Sequence, residues 1–524
     1  MNVRKGWWLA MAAVLLGAAL TVPFRHLWEV DEPRYAEVAR EMITSGQWLV
    51  PHLYGEPYTH KPPLYIWIEG GLRLAGLSWT AAGVLPALLA FLGILALMPR
   101  LARATGLDEE VGSLGAIALA ASPLAVFLAL GARMDMLLAF LYTVAILMLA
   151  ELLGLGPDAG RKRHAHLLFW LAIGLGVLTK GPVAVALPLL AAVLAWALLR
   201  PRPSLRAVFV GWGPLLAVGI VLAWLVPAGV AGGPEYLYEV TIRQSAGRLT
   251  NSFAHQEPFY FYFVRYPLIG LPWSVAAVVA AFHALRRRAL DAGGFLALAA
   301  LAVPVFFSLI SGKLEIYLLP MFPPALLLAA NAWRRKERGQ RPALAAGAAG
   351  MAVVGIAAAA LPRFGLVQTV PWPAWAGIGV LIAAPAVAAL VGAVRGRPIA
   401  TTVALVAASA LVVPAVLLPV GLNALDRAWT TAGAAEAMRR AEPESREHLS
   451  YGATFPGLWL YGERPFRELA DADAVSAELR RGRCVLVEEK RWAAVQASLE
   501  PEIGRLERMP LRRRALYLVC GRDR

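Results

Sequence analysis

Long apolar segments are the feature that most restricts how this chain can fold. They are roughly 16 to 24 residues long, about the length of an α-helix that crosses a lipid bilayer. Because a backbone in hydrocarbon has to satisfy its own hydrogen bonds, each segment is predicted to be a membrane-spanning helix. A hydrophobic share of 59% against 16% charged residues excludes a set of ordinary soluble domains. We place about 13 spans, at residues 7–24, 80–99, 111–130, 134–153, 166–180, 182–199, 207–230, 266–285, 295–311, 314–333, 343–361, 374–394 and 399–420.

The positions of the basic residues predict the orientation of these spans. With a cytoplasmic N-terminus, 20 of the 32 Lys and Arg residues before position 424 fall in cytoplasmic segments, as the positive-inside rule requires. An odd number of spans then places the C-terminal region on the outer side. The net charge of +15 is spread between apolar runs rather than gathered on a soluble face. We therefore expect membrane lipids, and no nucleic acid, as partners.

The composition divides the chain into two predicted domains. Residues 1–423 form a transmembrane domain with a long first outer loop at 25–78, and residues 424–524 form a smaller extracytoplasmic domain that holds 34 of the 85 charged residues. In the smaller domain, HLSYGATF, CVLVEE and ALYLVCG are typical of strands, while DADAVSAELRRG and KRWAAVQASL have helical periodicity. This pattern predicts a small α/β domain. Its Cys484 and Cys520 can form a disulfide in an oxidising compartment or remain unpaired in the core.

The first outer loop contains an acidic helix start. Asp31, Glu32 and Pro33 precede residues with helical spacing, which predicts a helix along the membrane surface. Acidic residues in a first helical turn also interact favourably with the helix dipole. Asp31 and Glu32 are thus either capping residues or members of a functional site.

Further ionisable and aromatic residues lie at the predicted outer boundaries of the spans. Charges at membrane depth are costly, so they usually face a cavity or a partner. Simpler alternatives are an interfacial lysine for Lys61, and for Asp135 an ion pair with Arg133 or Lys180. The residues of this set are His60, Lys61, Arg133, Asp135, Lys180, Lys313, Glu315 and Tyr317.

Cations combined with aromatic rings and carboxylates suit a sugar joined to a phosphate. Lys and Arg hold phosphate, and a carboxylate can accept a proton from a hydroxyl group. The sequence lacks a P-loop, a Rossmann glycine pattern, HExxH and GxSxG, which argues against a soluble nucleotide donor and against a protease.

The segment VDEPRYAEVAREMITSGQWLVPHLYGEPYTHKPPLYIW closely resembles the first periplasmic loop of bacterial GT-C membrane glycosyltransferases. The resemblance is strongest to the 4-amino-4-deoxy-L-arabinose lipid A transferases and to the protein O-mannosyltransferase-like family. It continues through RMDMLLAF, LTKGPVAVALP, AHQEPFYFYFVRYPLIGLPWS and SGKLEIYLLPMFPPALLL, over about the first 330 residues. Each piece alone is weak, but the combination is specific to the superfamily.

The resemblance implies a GT-C fold in a bacterial inner membrane, with the active site and the C-terminal domain in the periplasm. It implies transfer of a sugar from a polyprenyl-phosphate donor to an outer-face acceptor, with inversion at the anomeric carbon. Asp31 is then the catalytic carboxylate and Asp135 a second important acid. The donor-binding residues that the resemblance implies are Arg34, Tyr58, Lys61, Lys180, Lys313 and Tyr317.

One departure from the family concerns metal binding. The arabinose transferases have a Glu that takes part in a metal site just before the loop lysine, whereas this chain has His60. His60 and His255 are candidate ligands for a divalent metal, but two histidines without a third ligand are a weak signal. Ordinary interfacial histidines are the alternative.

Several functions stay open at this point. The acceptor can be lipid A or another envelope glycan, or Ser and Thr residues of a protein. A transporter of a lipid-linked sugar is a third possibility, but a transporter is expected to have related halves, and no internal repeat is visible.

Overall fold

The computed structural model describes residues 3–157, 162–244, 256–364, 371–499, 502–511 and 514–522. The chain divides into two compact units. The membrane unit comprises Met1–Thr21, Thr59–Tyr65 and Val84–Gly421. The loop–tail unit comprises Val22–Tyr58, Ile66–Gly83 and Leu422–Arg524. Most of the first outer loop therefore clusters with the C-terminal region, and the domain boundary after residue 423 stays a prediction.

Helices dominate the described residues before position 430. In chain order they are α1 (Val3–Thr21), α2 (Asp31–Ser45), α3 (Leu64–Leu74), α4 (Trp79–Ala104), α5 (Glu109–Ala120), α6 (Pro123–Ala129), α7 (Asp135–Leu153), α8 (Lys162–Lys180), α9 (Val183–Leu198), α10 (Arg206–Phe209), α11 (Gly213–Tyr238), α12 (Phe261–Ile269), α13 (Ser274–Arg287), α14 (Ala292–Ser308), α15 (Phe322–Arg334), α16 (Gln340–Ala360), α17 (Trp372–Val394), α18 (Ile399–Val412) and α19 (Leu418–Trp429).

Many of these helices are long and apolar enough to cross a membrane. In the described part of the chain there are eight such stretches, or nine if α5 and α6, which meet at a bend of 75°, form one span. Helices α9 and α14 are apolar but shorter. The polytopic helical class is confirmed, whereas the count of 13 spans is not. The eight stretches are Val3–Phe24, Trp79–Ala104, Asp135–Leu153, Arg206–Arg243, Glu315–Arg334, Gln340–Phe364, Trp372–Val394 and Ile399–Asp426.

Two predicted spans are broken where proline interrupts the helical hydrogen bonding. The segment predicted at 111–130 bends at Pro123, the first residue of α6. The segment predicted at 266–285 contains the end of α12 and most of α13, separated by a turn that includes Pro272. Proline has no amide hydrogen and disfavours helical conformation in the preceding residue. Hydropathy alone does not detect these breaks.

Small residues allow close helix packing in the membrane unit. A Cβ atom added to Gly355 of α16 would lie 2.7 Å from the carbonyl oxygen of Gly379 in α17, and one added to Gly379 would lie 2.6 Å from that of Gly355. Such contacts bring two backbones together, which is a common source of helix association in lipid.

The C-terminal region of the loop–tail unit is a helix-covered mixed sheet. The loop itself has a short hairpin, β1 (His52–Leu53) and β2 (Glu56–Pro57). The larger sheet has the order β4-β3-β5-β7-β6, in which β3 is parallel to β4 and β5, and β7 is antiparallel to β5 and β6. Its elements are α20 (Ala432–Ala441), β3 (His448–Tyr451), α21 (Pro456–Gly462), β4 (Phe466–Glu468), α22 (Ala472–Arg480), β5 (Cys484–Glu488), α23 (Glu489–Leu499), β6 (Ile503–Leu511) and β7 (Arg514–Gly521).

This arrangement confirms the small α/β fold predicted for the tail. The centre of the sheet is apolar, since Leu449, Val485 and Leu518 are fully buried. Cys484 and Cys520 are directly opposite each other on β5 and β7 and form a disulfide. Of the two alternatives that the sequence left open for these cysteines, the structure contains the disulfide.

Candidate functional site

A buried cluster of charges lies where two helices of the membrane unit end and begin. Helix α8 ends at Lys180, because Gly181 has a left-handed backbone with φ of +80° and Pro182 follows. Helix α7 begins at Asp135. An acid at a helix N-terminus and a base at a helix C-terminus both interact favourably with the helix dipole.

The side chains of this cluster surround the Asp135 carboxylate with positive charge. Lys180 forms an ion pair with Asp135, and the side chains are only 10% and 7% exposed. The Nε atom of Arg133 lies 3.6 Å from the second carboxylate oxygen. Lys61 is near enough to interact electrostatically with the same carboxylate. Three cations therefore lie around this carboxylate, and Lys and Arg side chains are the usual partners of phosphate groups.

An aromatic side chain completes the cluster. The Nζ atom of Lys180 lies 4.5 Å from the centre of the Tyr317 ring, a cation–π arrangement. Tyr317 in turn stacks on Phe307 with 4.9 Å between ring centres. The structure therefore brings together Lys61, Asp135, Lys180 and Tyr317, four of the residues expected at the site.

Lys313 has different partners. Its ammonium group is buried and donates hydrogen bonds to the backbone carbonyls of Glu257, at 2.9 Å, and of Ile310. Removal from water lowers the pKa of this group. These hydrogen bonds link the Lys313 side chain to two separate backbone segments. Its donor-binding role stays a prediction.

Asp31 and Arg34 form the second group of expected residues, in the loop–tail unit. Helix α2 begins at Asp31, as the acidic start predicted. One guanidinium nitrogen of Arg34 lies 3.2 Å from the Asp31 carboxylate, and the two side chains are 27% and 32% exposed. The cap position is Val30, which makes no side-chain capping bond. Asp31 therefore remains open to solvent beside a cation.

Glu32, the neighbour of Asp31, has a buried position. Its carboxylate accepts a hydrogen bond from the Arg25 guanidinium and another from the Trp28 amide at 2.9 Å. These bonds fix the turn that precedes α2. Of the two adjacent acids, Asp31 is the more exposed.

Tyr58 is an expected donor-binding residue that lies in a core. It is 4% exposed and packs with Val38, Ala39, Met42 and Ile66. The Tyr58 side chain packs the end of the hairpin against the face of α2 that carries Val38, Ala39 and Met42. Tyr58 could contact a donor directly only if these side chains were rearranged.

Two buried acids in the loop were not singled out from the sequence. Glu37 has no exposed surface and accepts two hydrogen bonds from Arg40, at 2.8 and 2.6 Å. Burial raises the pKa of Glu37 to about 7, although the bonds from Arg40 oppose this shift. Helical spacing places Glu37 about 100° around α2 from Val38 and further from Ala39 and Met42, so its burial had no signal in the sequence.

Glu69 is the second of these acids. It is fully buried, and neither carboxyl oxygen has a hydrogen-bond partner among the described residues. Burial and then the neighbouring Glu32 carboxylate raise its pKa well above the ordinary value. The signal in the sequence was a Glu inside the aromatic and apolar stretch LYIWIEGG.

Of the two candidate metal ligands, the structure describes only His60. His60 is exposed, and His255 lies outside the described residues. In the part of the chain that the structure describes, no three His, Cys, Asp or Glu side chains are grouped as metal ligands. Because the described residues supply no such ligand set, we derive no step of the reaction through a metal.

The chain is similar to known membrane glycosyltransferases over part of its length. Residues 7–238 match the model of the family described as dolichyl-phosphate-mannose-protein mannosyltransferase. A Sodalis glossinidius protein named undecaprenyl phosphate-alpha-4-amino-4-deoxy-L-arabinose arabinosyl transferase 2 is 32% identical over 61% of this chain and 58% of the relative. The Pseudomonas paraeruginosa protein named as such an arabinosyl transferase is 30% identical over 70% of this chain and 66% of the relative. The chain spans 57–60% of the length of four curated relatives of this kind.

A solved structure matches the chain over nearly its whole length. The crystal structure of ArnT from Cupriavidus metallidurans bound to undecaprenyl phosphate has a TM-score of 0.77, with 98% of each chain covered and 22% identity. The apo form of the same protein has a TM-score of 0.76. The shared fold confirms the fold class predicted from the sequence.

Proposed function

We propose that this GT-C-type membrane protein, which resembles the 4-amino-4-deoxy-L-arabinose transferases, is a glycosyltransferase that uses a polyprenyl-phosphate sugar. The observation that carries the proposal is the group of three cations around Asp135 in the membrane unit. Lys180 and Arg133 lie beside the Asp135 carboxylate, and Lys61 is near enough to interact with it electrostatically. Such a cluster suits the phosphate of a lipid-linked donor.

Within this proposal, Lys61 and Lys180 stabilise the donor phosphate, and Tyr317 provides an aromatic surface beside Lys180. Asp135 holds the cations in position, because its carboxylate is already paired with Lys180. Arg34 is assigned to the donor phosphate by resemblance, and its ion pair with Asp31 is compatible with exchange for another anion. These assignments are proposals that mutagenesis can test.

The proposed reaction is a direct displacement with inversion at the anomeric carbon. An acceptor oxygen forms a bond to that carbon while the bond from the carbon to the phosphate oxygen breaks. Asp31 takes the acceptor proton, and the polyprenyl phosphate leaves with the bonding electron pair. General base assistance of this kind contributes roughly 10²- to 10⁴-fold, and cations placed at the phosphate stabilise its developing charge.

The proposed location is the outer face of a bacterial inner membrane. The chain is a multi-pass membrane protein, and the excess of Lys and Arg in alternate loops supports an extracytoplasmic first loop and tail. Accessibility of introduced cysteines tests this orientation. Labelling at Gly55 or Tyr461 by a membrane-impermeant reagent is expected only from the periplasmic side.

The proposed donor is undecaprenyl phosphate-linked aminoarabinose, and the proposed acceptor is lipid A. The donor assignment follows the names of the arabinosyl transferase relatives. The acceptor assignment follows the resemblance to the lipid A transferases. A second candidate is transfer to Ser or Thr of a protein, which is favoured by the match of residues 7–238 to a protein mannosyltransferase family. A transporter of a lipid-linked sugar is a weaker alternative.

One experiment separates these possibilities. The purified protein in lipid is incubated with the undecaprenyl phosphate-linked sugar and with either lipid A or extracted envelope proteins. Mass spectrometry should detect a sugar added to lipid A and release of undecaprenyl phosphate. Modified protein with unmodified lipid A would support the second candidate, and movement of intact donor across vesicles without transfer would support the transporter.

A further inference from the structure

The segment that leads into Asp31 is held by residues near the other end of the chain. The backbone amide of Leu27 donates to the Tyr461 hydroxyl at 2.8 Å, and the amide of Glu29 donates to the Trp429 carbonyl at 3.0 Å. These contacts lie within the loop–tail unit. The four residues from His26 to Glu29 are therefore anchored before α2 begins.

Asp426 anchors the first part of this segment. Its carboxylate accepts hydrogen bonds from the His26 amide at 2.8 Å and from the Trp28 indole at 2.9 Å. It also lies 2.8 Å from the His26 ring nitrogen. Trp28 packs on Trp429 with 4.9 Å between ring centres. Asp426 and Trp28 are 6% and 5% exposed, so their hydrogen bond is shielded from water, whereas the His26 ring is exposed.

Glu29 is the contact nearest to Asp31, two residues before it. One of its carboxylate oxygens accepts hydrogen bonds from the Thr431 hydroxyl at 2.8 Å and from the Gly457 amide at 2.9 Å. Glu29 is 5% exposed and Thr431 is fully buried. Hydrogen bonds to a buried carboxylate are among the stronger ones in proteins, so they restrict the backbone at Glu29.

We propose that Thr431 and Gly457 of the C-terminal region are positioning residues for catalysis, acting through Glu29 on the Asp31 carboxylate. This inference rests on the proposed function, in which Asp31 takes the acceptor proton. A displacement of about 1 Å at a reacting group can cost up to roughly 10²-fold in rate. The tail thereby has a role in the transfer step without contact with a substrate.

A substitution at Gly457 would selectively disturb the hydrogen bonds of the Glu29 carboxylate. Gly457 lies in α21, and a Cβ atom added there would be 2.2 Å from the Glu29 oxygen and 2.3 Å from the Thr431 hydroxyl. Gly457→Ala must therefore displace the Glu29 carboxylate. Gly433 in α20 has nothing within 4 Å of an added Cβ atom, so Gly433→Ala is the matched control.

Thr431 offers a second, independent perturbation. Thr431→Val keeps the shape of the side chain but removes the hydroxyl donor, whereas Thr431→Ser keeps the donor. Single-turnover transfer should slow by about 10- to 100-fold in Thr431→Val and Gly457→Ala, and remain near wild type in Thr431→Ser and Gly433→Ala. Affinity for undecaprenyl phosphate should stay unchanged in all four variants.

A double-mutant cycle separates positioning from general damage to the fold. If Thr431 acts through Asp31, Thr431→Val should slow transfer no further when Asp31 is already Asn. A multiplicative loss in the double variant would overturn the proposal. If Thr431→Val does not fold, the same cycle with Gly457→Ala decides the question.

The outcomes also distinguish this proposal from the proposed function. If Asp31→Asn transfers at the wild-type rate, the proposed base is wrong and the positioning role is overturned with it. If Asp31→Asn is slow but Thr431→Val and Gly457→Ala transfer normally, only the positioning role is overturned.

Discussion

The carboxylate of Asp135 and the ammonium group of Lys180 form a buried ion pair between the first residue of α7 and the last residue of α8. The ion pair joins the start of α7 to the end of α8, two consecutive helices of the membrane unit. Because Asp135 is occupied by Lys180 and lies close to Arg133, it is suited to placing cations rather than to accepting a proton from a substrate.

Replacement of Asp135 by Asn should destabilise the protein. The buried Lys180 ammonium group would then lose the carboxylate with which it pairs, and removal of one partner of a buried ion pair typically costs about 3–5 kcal/mol. The unfolding temperature in lipid and detergent measures this effect. Glu110→Gln is a suitable control, because Glu110 and Arg334 form an exposed pair whose loss should change little. Equal unfolding temperatures for both variants would contradict the prediction.

Lys61→Ala should weaken binding of undecaprenyl phosphate by roughly 10- to 100-fold, since a hydrogen bond to a charged group is worth about 1.5–3 kcal/mol. A titration with undecaprenyl phosphate in lipid nanodiscs measures the affinity. Lys490 is an exposed lysine in the C-terminal region, and Lys490→Ala should bind normally. Wild-type affinity in Lys61→Ala would remove Lys61 from the phosphate site.

Local sequence signals predicted much of this structure. Apolar length predicted the membrane helices, short strand-like segments predicted β3, β5 and β7, and the acidic start predicted that α2 begins at Asp31. Each of these features depends on residues that are close together in the sequence. The charges at Asp135 and Lys180 were also recognisable, because ionisable residues are rare at membrane boundaries.

Long-range packing was not predictable in the same way. Glu29 and Gly457 are 428 positions apart, and no spacing rule connects them. For the same reason the burial of Tyr58 against α2 and the bonds from Lys313 to backbone carbonyls were not foreseen. The breaks in two predicted spans depended on local proline geometry, which hydropathy does not measure.

Glu37 should make stability depend on pH. Its pKa rises from 4.5 to about 7 on folding, so the folded state binds the proton more tightly than the unfolded state. The contribution of Glu37 to stability is therefore greatest below about pH 4.5, decreases as the pH rises to about 7, and is constant above that. At about 1.4 kcal/mol per pKa unit, the total change is at most about 3.5 kcal/mol.

Glu37→Gln should remove this contribution. Unfolding temperatures between pH 4.5 and 8 should fall less steeply with pH in the variant than in the wild type. Glu56→Gln, which changes an exposed acid in the same loop, should keep the wild-type profile. Parallel profiles for wild type and Glu37→Gln would show that the burial of Glu37 does not govern this dependence.

Loss of the disulfide should destabilise the C-terminal sheet. Cys484 and Cys520 are separated by 36 positions, and a cross-link of that loop size is worth about 2–4 kcal/mol. The double variant Cys484→Ser and Cys520→Ser should unfold at a lower temperature and should not respond to a reductant. The wild type should fall to the same temperature when reduced. A wild type that is insensitive to reduction would contradict this contribution.

Asp31→Asn should reduce single-turnover transfer by roughly 10²-fold or more, because Asn retains size and hydrogen bonding but cannot accept a proton. The side chain is about one-third exposed, so the fold should survive the change, and donor affinity is measured first to confirm that the donor still binds. Glu56→Gln again serves as a loop control and should transfer normally. Rising pH should not rescue Asp31→Asn, because no ionisable group remains at that position. Transfer by Asp31→Asn at the wild-type rate would leave Asp31 as a residue that only starts α2 and pairs with Arg34.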